Sequence, residues 1–380
     1  MVKFLFLILL LCAETANSQT LSGVDWETAT PKQIQKLIDD GASVTDDLLL
    51  VVAGSNSNPA VIEALIKAKA DVNARNVFGG TPLMVAAVKN SNPAVIEALI
   101  KAKADVSARA QNGWTPLMLA AGGNSNPAVI EALIKAKADV NARDQNGWTP
   151  LMFAAEKNPN PAVIEALIKA KADVNARSKD GVTPLILAAG FNSNPAVIEE
   201  LIKAQADVNA RDKDGITPLM SAAGFNSNPA VIEALIKAKA DVNARNKDGA
   251  TPLMSAAAGF NSNPAVIEAL IKAKADVNVR DALGNTPLML AARFNSNPAV
   301  VEALIKAKAD VNARDKAGVT PLMVAAMFNS NPAVIEALIK AQADVTVRDK
   351  AGKTALDYAE DNPEIKGTPV YWKLNDLMYK

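Results

Sequence analysis

The sequence has 380 residues, in which 40 basic side chains balance 40 acidic ones, and it contains no histidine and one cysteine. The balance leaves no excess positive charge to neutralise phosphates or anionic lipid, so a nucleic-acid partner is disfavoured. Without histidine there is no His-based acid–base catalysis and no His-ligated metal. We therefore expect a protein that is not an enzyme and that has no cofactor and no metal site.

Residues 1–18 have the features of a signal peptide. A lysine precedes an unbroken apolar run at residues 4–12, and Ala16 and Ser18 form a small-x-small cleavage pattern. The run is too short to span a bilayer as a helix. Cleavage here would leave Gln19 as the first residue, and we expect export to a periplasm or secretion.

A lipoprotein signal is the minor alternative for the same segment. Cys12 follows three leucines and would be the anchored residue, but Leu11 is bulky where such signals have a small side chain. If the chain is instead cut after residue 18, it loses its only thiol and can form neither a disulfide nor a Cys-ligated zinc site.

The remainder of the chain is an internal repeat. The triplet Thr-Pro-Leu recurs every 34 residues, except for one step of 35 caused by an extra alanine before Gly259; it begins at Thr81, Thr115, Thr149, Thr183, Thr217, Thr251, Thr286 and Thr320. A fixed period of this size is typical of a solenoid. With a degenerate first copy at Asp47, residues 47–353 form nine repeats.

Each repeat predicts two helices. In residues 212–245, Thr217 is a good N-cap and is followed by proline at the first helical position, and Asn228 repeats the same signal before the second helix. Val231 and Leu235 belong to an apolar stripe on that second helix. The polar, glycine-ended segment that follows predicts a projecting turn.

The combination TPLMSAA and VIEALIKAKADVNAR resembles the ankyrin repeat, over residues 24–366. The resemblance implies an all-α helix-turn-helix solenoid with projecting β-turn fingers, and a protein-binding scaffold as its function. Two departures are regular. A buried methionine or isoleucine, such as Met118, stands where the family has histidine, and a lysine or glutamine, such as Lys137, stands where the family has a left-handed glycine.

The two ends read as caps. Residues 19–46 contain a second helix without a complete first helix before it, and residues 354–380 hold a last degenerate copy and a terminal helix that begins after Thr368. Lys373 and Asp376 on this helix suit a solvent-facing lid, which protects the end of a solenoid.

The copies differ from one another after the turn glycine and after the methionine position. These variable positions resemble those that form the concave, ligand-facing surface of ankyrin arrays. Because stacked helices lie roughly 8–10 Å apart, large apolar groups in adjacent units would be neighbours. We predict a partner-binding apolar patch, with packing inside the protein as the alternative, made of Phe78, Trp114, Leu119, Trp148, Phe153 and Leu187.

Two other sets of residues are weighed against this patch. A second aromatic series recurs in the spacer between the helices, and its regularity favours packing of repeat on repeat; it consists of Phe191, Phe225, Phe260, Phe294 and Phe328. If the tryptophans prove structural, the Asp- and Lys-bearing finger tips between Asp212 and Asp349 become the better candidates.

Three functions remain open at this point. The leading prediction is a scaffold that binds an unidentified protein outside the cytoplasm. The alternatives are a protein that binds a carbohydrate or envelope polymer, with Trp114 and Trp148 stacked on sugar rings, and a passive structural repeat protein.

Overall fold

A computed structural model describes residues 24–40, 46–259 and 262–379. These residues form twenty-one helices and no strand. The predicted signal peptide, Cys12 and Phe260 lie outside the described residues. The all-α fold and its helix-turn-helix repeats are as the sequence predicts, and no described helix is long and apolar enough to cross a membrane.

Each repeat contributes a first and a second helix. The first helices are α2 (Asp46–Ser55), α4 (Pro82–Lys89), α6 (Pro116–Gly123), α8 (Pro150–Lys157), α10 (Pro184–Phe191), α12 (Pro218–Phe225), α14 (Pro252–Ala258), α16 (Pro287–Phe294), α18 (Pro321–Phe328) and α20 (Ala355–Asp361). The second helices are α1 (Pro31–Asp39), α3 (Pro59–Lys67), α5 (Pro93–Lys101), α7 (Pro127–Lys135), α9 (Pro161–Lys169), α11 (Pro195–Lys203), α13 (Pro229–Lys237), α15 (Pro264–Lys272), α17 (Pro298–Lys306) and α19 (Pro332–Lys340), and α21 (Pro369–Met378) ends the chain.

The helices begin where the caps predict. The Thr217 hydroxyl accepts a hydrogen bond from the Met220 amide at 3.3 Å, and the Asn228 side chain accepts one from the Ala230 amide at 3.1 Å. Each cap satisfies an amide that would otherwise lack a partner in the first turn, and proline at the next position has no amide to lose.

The methionine position forms core, as predicted. Its side chains are at most 4% exposed in Met84, Met118, Met152, Ile186, Met220, Met254, Met289 and Met323. The second helix buries a stripe against them, for example Val231, Ile232 and Leu235. The alanines of the first helix are also buried, and their small side chains let neighbouring helices approach closely.

Contacts divide the chain into two compact units. Met1–Pro184 with Lys203–Ala206 form the N-terminal unit, and Leu185–Ile202 with Asp207–Lys380 form the C-terminal unit. Each unit is built from the same repeat.

Asparagines tie successive repeats together. In the N-terminal unit, the buried side-chain amide of Asn124 donates to the carbonyls of Ala87 at 3.1 Å and Asn90 at 2.8 Å. In the C-terminal unit, Asn226 donates to Ala189 at 2.9 Å and Asn192 at 2.8 Å. These bonds satisfy carbonyls at the end of the preceding first helix, which have no partner within their own helix.

The fingers are linked in a similar way. The Arg109 guanidinium donates to Gly113 in its own turn at 3.0 Å and to the Arg143 carbonyl of the next finger at 2.7 Å. The backbone amide of Gln111 also donates to the Phe78 carbonyl at 3.1 Å. Polar ties between repeats therefore exist although the family's histidine is replaced by an apolar core residue.

The residues that replace glycine are left-handed, as the resemblance implies. Lys137 has φ +67°, and its amide and that of Ala138 donate to Ile134 and Leu133 at 2.9 and 3.0 Å. This pair of bonds is a Schellman ending, which requires a left-handed residue after the helix. The same positive φ occurs at Lys69, Lys103, Lys137, Lys171, Gln205, Lys239, Lys274, Lys308 and Gln342.

The terminal helix begins after Thr368, as predicted. Its residues Val370 and Leu374 are buried, and its residues Lys373 and Asp376 are exposed. Trp372 is also 57% exposed, so the outer surface of this helix is not uniformly polar.

Candidate binding surfaces

The structure corrects the prediction that six apolar residues form an exposed patch. Trp114, Leu119 and Phe153 in the N-terminal unit are only 5%, 2% and 2% exposed, and Leu187 in the C-terminal unit is 5% exposed. Phe78 and Trp148 are partly exposed. Of the six residues, only these two present a substantial surface to a partner without a change in the fold.

Phe153 packs against both tryptophans. Its ring meets Trp114 edge-on with centroids 5.3 Å apart, and Trp148 edge-on at 5.5 Å. We call these three residues the aromatic cluster. The Trp114 indole N–H donates to the Asp144 carboxylate at 3.2 Å, so the polar atom of the ring is also satisfied. The cluster rests on buried Met84, Met118 and Leu119.

Phe153 lies against the preceding repeat. A Cβ added at Gly122 would lie 3.4 Å from the Cβ and 3.7 Å from a ring carbon of Phe153, which is ordinary van der Waals contact. The position after the methionine therefore lies between repeats rather than on a ligand-facing surface. Gly190 faces Ser221 in the same way, so the glycine by itself does not specify an aromatic neighbour.

The described members of the second aromatic series are exposed, which corrects the prediction that the series is core. We call its described members the phenylalanine row, and their side chains are 55%, 53%, 56% and 49% exposed at Phe191, Phe225, Phe294 and Phe328. All four lie in the C-terminal unit, each as the last residue of a first helix. Sequence reasoning took their regularity as a sign of core.

Members of the phenylalanine row in adjacent repeats contact each other directly or through Arg293. The rings of Phe191 and Phe225 are stacked, with centroids 5.6 Å apart and planes at 27°. Further along, the Arg293 guanidinium lies 4.9 Å from the Phe294 ring centroid and 4.2 Å from that of Phe328. The described members therefore form two groups, Phe191 with Phe225 and Phe294 with Phe328 across Arg293, and the repeat between the groups carries Phe260, which lies outside the described residues.

Charge around the phenylalanine row is sparse. The first helices and spacers of the five repeats that carry it are residues 183–195, 217–229, 251–264, 286–298 and 320–332, and Arg293 is the only charged residue in these ranges. Arg293 is exposed, and no hydrogen bond or ion pair joins it to another described residue.

In the N-terminal unit, other residues stand at the ends of the first helices, where the C-terminal unit has the phenylalanine row. Its first helices end at Ser55, Lys89, Gly123 and Lys157. Lys157 lies 3.7 Å from the Glu156 carboxylate, and burial raises the pKa of that carboxyl. No group of three or more acidic, cysteine or histidine side chains among the described residues is arranged to hold a metal ion.

The family model described as ankyrin repeats (3 copies) matches the chain in overlapping segments from residue 48 to residue 366. The chain belongs to the ankyrin repeat family. A comparison with curated proteins gave no match. Ankyrin repeat proteins are generally scaffolds that bind other proteins and do not catalyse reactions, and the repeats of this chain carry the same helix pairs and fingers.

Proposed function

We propose that this ankyrin repeat protein is a non-enzymatic scaffold that holds a protein partner on the phenylalanine row of its C-terminal unit. The observation that carries the proposal is the exposure of four phenylalanines, each at the end of the first helix of its repeat. A buried core position needs no special explanation, whereas exposed aromatic groups in contact with each other usually mark a binding surface.

The size of the surface supports the proposal. A fully buried phenylalanine covers about 150–250 Å², so four half-exposed rings present about 400 Å². This is within the range of the largest apolar patch on a typical soluble protein, which is often functional. Phe78 and Trp148 remain candidates for contacts with a partner in the N-terminal unit, because both are partly exposed.

The carbohydrate alternative is weakened by the burial of Trp114. A sugar ring stacks on an open aromatic face, and Trp114 is 5% exposed with its N–H bound to Asp144. The pair of tryptophans on which that alternative rested is therefore not available as a platform.

Export remains part of the proposal, on the strength of the signal-like residues 1–18. In the native cell, the mature chain should begin at Gln19 and should be found in the periplasm or the medium. N-terminal sequencing of the purified protein tests this directly. A membrane-anchored form that is lost in Cys12→Ser would favour the lipoprotein alternative, and a cytoplasmic chain beginning at Met1 would contradict export.

Site-specific photo-crosslinking tests the binding surface. A benzoylphenylalanine placed at Phe225 keeps an aromatic ring in the row, and the matched control is the same group at exposed Lys237, on the second helix of the same repeat. We expect a discrete protein adduct at position 225 and none at position 237 after irradiation in cells. No protein adduct at 225, or equal adducts at both positions, would contradict the proposal.

A further inference from the structure

We infer that a protein partner bound to the phenylalanine row places a carboxylate side chain on Arg293, which thereby selects the partner by its charge. This inference rests on the proposed function and specifies one chemical requirement on the partner. The site lies in two adjacent repeats, those whose first helices end at Phe294 and Phe328.

The Arg293 guanidinium is held against both rings of its group. Its central carbon lies 4.9 Å from the Phe294 ring centroid and 4.2 Å from that of Phe328, and both distances are within the range of a cation–π contact. The two rings are about half exposed, and Arg293 is exposed with them. A partner that covers these rings therefore covers the guanidinium as well.

Covering Arg293 creates a requirement for negative charge. No hydrogen bond or ion pair joins its guanidinium to another described residue, and the first helices and spacers around the row carry no acidic residue that could supply one. A guanidinium that is buried without an anion weakens binding, because it loses its hydration and gains no counterion. Its planar edge donates two parallel hydrogen bonds to a carboxylate. The carboxylate must therefore come from the partner.

The number of charges favours a carboxylate over a phosphate. Arg293 is the only charged residue in those first helices and spacers, so the site offers one positive charge. A carboxylate carries one negative charge, whereas a phosphorylated side chain carries close to two and is recognised by clusters of arginines. In the other group, Phe191 and Phe225 stack directly. Glycine stands there at the helical position of Arg293, so the requirement for a carboxylate is confined to the Arg293 group.

A display library of random dodecapeptides is the direct test. The purified protein is the bait, and peptides that also bind Phe294→Ser/Phe328→Ser are removed. Serine already ends the first helix in the repeat that closes at Ser55, so this variant is expected to fold, as circular dichroism and thermal melting will verify. We expect the remaining peptides to be enriched in Asp or Glu beside apolar residues.

Two substitutions at Arg293 show whether its charge sets that preference. With Arg293→Gln as bait, the enrichment in Asp and Glu should disappear while the apolar preference remains. With Arg293→Glu, the preference should switch to Lys and Arg. The matched control is Lys306→Glu, the same charge reversal at an exposed site on the second helix of that repeat, which should leave the preference unchanged.

A double-mutant cycle then joins Arg293 to the carboxylate directly. For a selected peptide, replacement of its glutamate by glutamine should weaken binding to the wild type about tenfold. The same replacement should weaken binding to Arg293→Gln less than about twofold, because the carboxylate has no cation to lose there. Isothermal titration calorimetry measures the four dissociation constants of the cycle.

Several results would overturn the inference. They are selected peptides without an excess of Asp and Glu, an excess that survives in Arg293→Gln, additive effects in the cycle, or no peptide that depends on the two rings. A peptide that binds at least tenfold more tightly with phosphoserine in place of its glutamate would make the ligand a phosphorylated segment and also contradict it. If a protein adduct still forms at position 225 and not at position 237 in any of these cases, the proposed function stands and only the carboxylate requirement is wrong.

Discussion

The aromatic cluster of the N-terminal unit and the phenylalanine row of the C-terminal unit use similar side chains in opposite ways. Trp114 and Phe153 are buried and contact each other edge-on, whereas Phe191 and Phe225 stack while about half exposed. The difference lies in where the repeat places each ring. Phe153 is the fourth residue of its helix and faces the preceding repeat at Gly122, whereas Phe225 ends its helix.

This comparison shows that variation between copies has two physical causes. A position can vary because it faces a partner, or because it is buried and holds side chains of different size in different repeats. The position of Phe153, which Ser221 fills in another repeat, is the second kind. The change from Lys157 in one unit to Phe191 and Phe225 in the other is a candidate for the first.

The largest expected effect is in the aromatic cluster. Trp114→Ala should lower the free energy of unfolding by about 3–5 kcal/mol, because it removes a buried ring and leaves a cavity beside Phe153. Urea denaturation followed by circular dichroism measures the loss. Trp148→Ala should cost less, because that ring is partly exposed. A loss below 1 kcal/mol for Trp114→Ala would mean that the ring is not core.

A second prediction compares the asparagines that join successive repeats in the two units. Asn124→Ala and Asn226→Ala each leave two carbonyls of the preceding repeat without their donor, and each should cost about 2–3 kcal/mol. Asn126→Ala, at a partly exposed position, removes an N-cap and a bond to the Ser91 carbonyl, and should cost about 1 kcal/mol. Denaturant midpoints of the three variants provide the comparison, and unequal losses at Asn124 and Asn226 would mean that the units differ in more than their aromatic residues.

A third prediction concerns the left-handed lysines. In Lys137→Gly the glycine relieves strain of about 1–2 kcal/mol, while its greater freedom in the unfolded chain takes back about 0.4–1 kcal/mol. The change should be neutral or stabilising by up to about 1.6 kcal/mol, and Lys239→Gly in the other unit should match it. The helical control Glu131→Gly should cost about 1 kcal/mol. Destabilisation of that size at Lys137 would contradict the left-handed ending.

A fourth, smaller effect depends on pH at the C-terminal end. The Tyr358 hydroxyl donates to the Asp349 carboxylate at 2.5 Å, and this bond raises the pKa of Tyr358 to about 12 and lowers the pKa of Asp349. The raised tyrosine pKa gives stability that is complete below the ordinary value near 10 and is lost as the pH rises through about 12. The lowered carboxyl pKa gives stability that is lost as the pH falls below the ordinary value near 3.8.

Tyr358→Phe should therefore be less stable than the wild type between about pH 4 and pH 10, and the difference should shrink outside that window at both ends. Denaturant midpoints measured for both proteins across the pH range test the sign. A difference that is independent of pH would assign the effect to packing of the ring rather than to the hydrogen bond.

The smallest expected effect is in the phenylalanine row. Phe225→Ser should change the free energy of unfolding by no more than about 0.5 kcal/mol, because the ring is half exposed and ends its helix. The same denaturation experiment applied to Trp114→Ala gives the contrast. If Phe225→Ser cost as much as Trp114→Ala, the row would be structural and the binding proposal would lose its basis.

Much of the fold was predictable because each repeat contains its own local signals. Threonine or asparagine before proline specifies the helix starts, and the match of KADVNA to GADVNA specified the left-handed endings at Lys137 and its equivalents. These are short-range effects, so one copy of the repeat is enough to read them. The same reasoning placed Met118 and its equivalents in the core.

The candidate site was not predictable in the same way. The sequence determined that aromatic residues occur after the turn glycine, after the methionine and at the end of the first helix, but it did not determine which of these positions face solvent. Burial depends on how each helix faces the neighbouring repeat, which places Phe153 against Gly122 and Trp114 against Phe153. Only the tertiary structure brings those partners together, and it therefore decided that Trp114 is core and that Phe225 is surface.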